Sequence, residues 1–216
     1  MVLDLLLGLP DQRPGGLLLT IMVAVGSGAT ALIAGTLYAT ICVEARWLGV
    51  ALQPALAVLR GVPLLLLMFV IAQATALPIV AAGFLALFLY SLCHVGETLR
   101  SFLAAYPSAL RDQARLMGVG ALRDWAQLRL PWTLRRSVDA LGAHWVSLLK
   151  DTGALTVLGI TELTTVARIM GEQTSVGQWE LILGGAALLY LSASIVLIRG
   201  VELLRDRYSL GGGATA

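Results

Sequence analysis

The chain alternates long uncharged apolar stretches with short charged segments, and the lengths of those stretches set its architecture. A helix crossing ~30 Å of hydrocarbon needs about 20 largely apolar residues. No charge occurs from Pro14 to Val43, and the apolar part from Leu17 onward makes a first span. A second uncharged stretch runs from Gly61 to Gly96. As one helix it would extend about 54 Å, beyond any bilayer. Pro78 supplies the break, because proline cannot donate to a continuing helix and restricts the residue before it. The second span is therefore expected from about Gln53 to Thr75 and the third from about Pro78 to Phe102. Gln73-Ala74-Thr75 fits a short exposed turn between them.

Tyr106 to Pro131 is too polar to span. It carries Arg111, Asp112, Arg115, Arg123, Asp124 and Arg129, broken by Gly118-Val119-Gly120, and predicts two short helices around a glycine turn. A fourth apolar region extends from about Val138 to Ile160, interrupted by His144, Lys150 and Asp151. A fifth runs from about Leu181 to Ile198 and ends at Arg199. Gly211-Gly212-Gly213 opens a flexible tail at 211–216, or a cloning remnant. Residues 1–210 thus form a single five-span domain. With the Tyr106–Pro131 loop in the cytoplasm, most of the 15 basic residues fall on that side. The positive-inside rule then places the N-terminus outside and the C-terminus in the cytoplasm.

Composition agrees: 58% of the 216 residues are hydrophobic, 13% are charged, and the mean hydropathy is +0.85. A soluble domain carries roughly a quarter charged residues. Aromatic content is 6% and no dense basic run occurs, which leaves nucleic-acid binding without support. Cys42 and Cys93 lie in apolar stretches and read as small hydrophobes, not as a redox pair or metal site. No basic residue precedes Arg13, which argues against a cleaved signal peptide. The chain has no phosphate-cradling loop, nucleophile elbow or metal cluster, so no catalysis is expected in it.

The charged loop carries the most informative pattern. Asp112-Gln113-Ala114-Arg115-Leu116-Met117-Gly118, completed by Leu130-Pro131, resembles the cytoplasmic loop motif of ABC importer permeases, roughly E-A-A, three residues, G, and later L-P. Asp112 stands for the leading glutamate and Gln113 for the first alanine, whose larger side chain would pack less tightly. Arg60-Gly61-Val62-Pro63-Leu64-Leu65 resembles the R-G-T-P-L-L signature of the histidine/glutamine/arginine permease subfamily. Glu97-Thr98-Leu99-Arg100 is similar to its E-I-V-R element. Ser147-Leu148-Leu149-Lys150-Asp151-Thr152, with Gly159-Ile160-Thr161-Glu162-Leu163 after it, is similar to its S-L-L-K-D-T…G-x-x-E-L block. The resemblance runs in order from Arg60 to Leu163; the first and last spans match in hydropathy alone.

The resemblance implies an all-α type I ABC importer permease fold, with five transmembrane helices and a cytoplasmic coupling helix between spans three and four, in a loop at about 107–131. Asp112, Gln113, Ala114, Arg115, Gly118, Leu130 and Pro131 would couple the permease to an ATPase. An amphipathic helix of this kind would bury Ala114, Leu116 and Met117 in a partner's groove, and Gly118 would end it at positive φ. The implied partners are two ATP-binding cassette subunits, which carry the ATP and Mg, a second permease, identical or homologous, and an extracytoplasmic solute-binding protein. The implied setting is a bacterial inner membrane and the implied cargo a polar amino acid.

Lys150 is the sole lysine and neighbours Asp151 in an apolar segment. Ionisable groups at membrane depth face a cavity or a partner, and adjacent helical residues point about 100° apart, so these two are poorly placed to neutralise each other. Either Lys150 meets the substrate carboxylate and Asp151 its ammonium, or each pairs with another helix or subunit, Glu97 and Arg100 being candidates. Gly61-Val62-Pro63 predicts a helix irregularity, where Val62 and Leu64 line the path or simply pack. His144 reads as a hydrogen-bonded packing residue. Three rivals share these features: a methionine-type permease, an ion-coupled secondary transporter that needs no ATPase, and a non-transporting membrane assembly factor.

Overall fold

Residues 2–174 and 176–210 are described in the computed structural model of the chain, and the expected tail at 211–216 lies outside them. Among the described residues the chain is helical apart from turns and one isolated parallel bridge between Gly16 and Glu162. The helices are α1 (Val2–Leu7), α2 (Gly16–Glu44), α3 (Arg46–Gly61), α4 (Leu64–Ala74), α5 (Ile79–Ala104), α6 (Ser108–Leu116), α7 (Ala121–Asp124), α8 (Leu130–Asp151), α9 (Leu163–Glu172) and α10 (Val176–Leu210). A π turn (Trp125–Arg129) leads into α8 and a 3-10 segment (Thr152–Leu158) leaves it.

Among the described residues three helices are long and apolar enough to cross a bilayer: α2, α5, and residues 178–207 of α10. α2 is uninterrupted, and its hydroxyls turn back on their own helix: Ser27 donates to the Val23 carbonyl at 2.6 Å, Thr36 to Leu32 at 2.7 Å and Thr40 to Thr36 at 2.8 Å. Each polar side chain is thereby satisfied without a partner helix.

The expected second span proves to be two helices. α3 and α4 pass the apolar test together but meet at 104°. Pro63 has no N–H to continue α3, and Val62 before it is extended at φ −80, ψ 124. The expected fourth span also has different ends. α8 starts at Leu130, with Pro131 in its first turn, and stops at Asp151 rather than running to Ile160. Thr152 to Leu158 tightens into 3-10 geometry, and Gly159 closes it at φ +74.

Without a hydrophobic drive between helices in lipid, close packing depends on small residues. A Cβ on Gly35 would lie 3.1 Å from the Gly96 nitrogen, which is how α2 and α5 approach along their length. A Cβ on Gly142 of α8 would lie 2.5 Å from Val201 of α10. The main core gathers Leu19 and Val23 of α2, Leu67 and Met68 of α4, Ala86 and Leu87 of α5, and Leu148 of α8. A second cluster sets Leu163, Val166 and Ala167 of α9 against Leu5 and Ile182.

Candidate functional site

The helical loop is the best-defined functional element. α6 is nine residues long and closes with a Schellman-type pair: the Val119 N–H donates to the Ala114 carbonyl and the Gly118 N–H to the Arg115 carbonyl, both at 3.0 Å. Gly118 sits at φ +70, and a Cβ added there would have no atom within 4 Å, so the backbone turn, not packing, requires glycine. Ala114 is buried against its own chain, whereas Asp112, Gln113 and Arg115 are exposed. Asp112 and Arg115 form an exposed ion pair at 3.5 Å. Leu116 and Met117 stand out at 89% and 81% exposure, with Leu122 at 79% beyond the turn. The apolar residues expected on one side therefore divide: Ala114 anchors the helix, and Leu116 and Met117 are presented. Gln113, Met117 and Pro131 edge a cleft of about 480 Å³ under α6, floored by Tyr106 and Trp132. Those two rings pack edge to face at 5.3 Å, and burial pushes the Tyr106 phenol up from its ordinary pKa. Leu130 and Pro131 are both half-buried at the start of α8.

Sequence reading did not anticipate what holds this loop. Arg129 is 3% exposed and makes ion pairs with Glu44 of α2 and, at 3.3 Å, with Asp124. Glu44 also accepts from Arg111 of α6 at 3.2 Å, and one turn earlier Thr40 accepts from the Trp125 indole at 3.2 Å. These partners lie 67 and 85 residues apart in the chain, a separation that no local pattern encodes.

The polar residues of the spans fall into separate groups. Glu97 and Arg100 pair with each other within α5, Arg100 Nε donating to Glu97 Oε2 at 2.8 Å, and neither makes an ion pair with Lys150 or Asp151 among the described residues. Lys150 is exposed and makes no ion pair among the described residues. Asp151 is half-buried and accepts from Ser147 at 3.4 Å. Nearby, His94 and His144 stack with ring centroids 5.3 Å apart, and His144 Nε2 lies 2.8 Å from the Ser91 hydroxyl, as befits a hydrogen-bonded packing residue. Glu97 faces a small cavity of about 140 Å³ with Tyr38, Gln53 and Arg60. Val62 and Leu64 are half-buried and pack on the main core at the α3–α4 bend.

Glu162, which the sequence marks only as one position of a motif, is fully buried. It caps α9 through the Thr164 and Thr165 N–H groups at 2.9 and 2.8 Å, and accepts from the hydroxyls of Thr156 and Tyr190 at 2.8 Å each. Its segment is stitched to the start of α2: the Gly16 N–H donates to the Thr161 carbonyl at 2.9 Å and the Leu163 N–H to Thr20 Oγ1 at 3.2 Å.

Comparison with known proteins bears on this arrangement directly. The chain is 31% identical over 183 residues to the probable glutamine ABC transporter permease protein GlnP of Bacillus subtilis, covering 82% of each. It is 26% identical to the probable amino-acid ABC transporter permease protein y4tG of Sinorhizobium fredii, over 87% of this chain and 84% of that one. Among solved structures, an amino acid ABC transporter crystallised with histidines has a similar fold, with TM-score 0.73 and 22% identity over 89% of this chain and 92% of that one. The inward-facing MetNI methionine ABC transporter matches at TM-score 0.75 and 14% identity, over 88% and 93% of the two chains. Residues 31–209 match the family described as binding-protein-dependent transport system inner membrane component, and the chain belongs to that family.

Proposed function

We propose that this chain is the permease subunit of an ATP-driven importer for a polar amino acid, working as a pair with an identical or homologous permease. Two separate ATPase subunits hydrolyse ATP, with its Mg, and an extracytoplasmic binding protein delivers the amino acid. In this reading α2, the bent α3–α4 pair, α5, α8 and α10 are the five spans. The N-terminus is outside and the α6 end is in the cytoplasm of a bacterial inner membrane. α6 is the coupling helix: ATP binding shifts it by favouring one of two conformations, and the path turns from inside to outside.

The observation that carries this reading is the exposed Leu116–Met117 tip, held out by buried Ala114 and turned by Gly118, in a chain of this family. Asp112, Gln113 and Arg115 frame that tip, and Leu130 and Pro131 restart the helix behind it. Lys150 and Asp151, with Glu97, Val62 and Leu64 along the way, line the path for a zwitterionic substrate. An unpaired lysine at membrane depth calls for an anionic partner, and an amino acid carboxylate is one. The methionine-type alternative has one observation in its favour, the equal fold similarity to MetNI, whereas the Lys150–Asp151 pair favours a polar cargo.

The test is affinity purification of the tagged chain in mild detergent beside Gly118→Glu, with co-purifying proteins identified by mass spectrometry. The wild type should recover an ATPase with a phosphate-binding loop, and the variant should lose it. A well-folded wild type that recovers no ATPase overturns the importer reading in favour of ion-coupled transport.

A further inference from the structure

We propose that Glu44 is the clamp that locks the coupling loop to α2, and that α2 acts as a rigid strut carrying loop displacement to the Thr161–Leu163 segment at the opposite end of the molecule. This inference rests on the reading of α6 as the helix that an ATPase moves.

Both ends of α2 are tied, and to different parts of the chain. At its last turn Glu44 bridges Arg111 of α6 and Arg129 at the start of α8, so one carboxylate joins the two flanks of the loop. Thr40 adds the Trp125 contact on the same helix face, four residues before Glu44. At its first turn the Gly16 N–H and Thr20 hydroxyl hold Thr161 and Leu163. Gly16 could not carry a side chain in that position: its φ is +54 and an added Cβ would collide with the Leu5 carbonyl oxygen.

Between these ends α2 has 29 residues without a break, about 43 Å of continuous helix. Gly26-Ser27-Gly28 lies within it, and the helix continues through that point without a break. The Thr161–Leu163 segment that it reaches is itself fixed, through Glu162, to α9 and to Tyr190 of α10. A displacement of the loop is thus transmitted as motion of one solid rod against the Glu162 segment. The α3–α4 pair, bent at 104°, lacks the continuity to do the same. Glu44 is a positioning residue in this scheme and touches no substrate.

The experiment uses the whole complex in proteoliposomes with binding protein, ATP and a labelled mixture of L-glutamine, L-arginine and L-histidine. Uptake and ATP hydrolysis are measured for wild type and Glu44→Gln. The distance between nitroxides at Ser108→Cys, exposed at the start of α6, and Leu18→Cys is measured in parallel. The clamp predicts hydrolysis within about twofold of wild type, uptake per ATP reduced about tenfold, and a broadened distance distribution. An unchanged ratio, or hydrolysis and uptake falling together with a narrow distance, overturns it. If Glu44→Gln does not assemble, Arg111→Gln removes the more exposed half of the clamp and should lower uptake per ATP about threefold; no change there also overturns it. A wild type without ATP-driven uptake would refute the transport reading, while the distance measurement would still decide the clamp.

Discussion

The two polar clusters at the ends of α2 solve the same problem by opposite means. Both use a carboxylate to join segments distant in the chain. Glu162 is fully buried and is satisfied by neutral donors, two backbone N–H groups and the hydroxyls of Thr156 and Tyr190, with no cation within ion-pair distance among the described residues. At the other end the partners are charged: Glu44 is shared by Arg111 and Arg129, and Arg129 is shared by Glu44 and Asp124. There Asp124 Oδ1 and Arg129 Nε are left without hydrogen bonds. A carboxylate held by neutral directional donors ties its segment to its immediate neighbours, whereas the charge-assisted bonds of the ion cluster tie the loop to α2 so that the two move together. The difference separates a part that is fixed from a part built to be moved.

The largest effect should come from breaking the fixed end. Glu162→Ala removes the α9 cap and strands the Tyr190 and Thr156 hydroxyls, a loss of roughly 3 kcal/mol. Thermal unfolding in detergent should show it as a fall of about 6–12 °C in Tm. Arg129→Ala should cost less, about 2 kcal/mol, although it leaves a largely buried Asp124 unpaired, because Glu44 at 37% exposure can turn to solvent or keep Arg111. If Arg129→Ala proves the more destabilising of the two, the ion cluster is the fixed end and the contrast is reversed. Lys150→Met belongs to neither cluster. Its stability should move by less than about 0.5 kcal/mol, assembly with the ATPase should survive, and uptake in proteoliposomes should be abolished. A mutant that fails to assemble would make Lys150 a structural residue.

How much of this was legible in the sequence depended on range. Uncharged length located α2, α5 and α10 because hydropathy needs no tertiary information. Pro63 marked the α3–α4 break, but a proline states that a helix stops, not that the next one leaves at 104°. α8 began earlier than its apolar window because Arg135 and Arg136 lowered the hydropathy of its first turns without hindering helix formation. Gly118 was predictable to its φ, since the loop pattern places a glycine where the helix must turn. Glu162 and Glu44 were the residues that pattern reading undervalued. Glu162 entered only as one position of a motif, and Glu44 was not singled out at all. Their segments are held by Tyr190, Thr20, Arg111 and Arg129, across separations of 28 to 143 residues.

The unequal lengths of the helices also shape the lipid around the chain. α4 has 11 residues, about 16 Å, and shows Leu65, Leu66, Phe69 and Val70 at its surface. α10 has 35 residues, about 52 Å, and shows Leu181, Leu188, Leu191 and Val196. The apolar stretch of α10, Leu181 to Ile198, is about 27 Å and matches the hydrocarbon, whereas α4 alone falls short of it, so the bilayer must thin beside α4. The acyl-chain length of the host membrane therefore acts as a mechanical load on α4 and, through Leu67 and Met68, on the main core that they help to form.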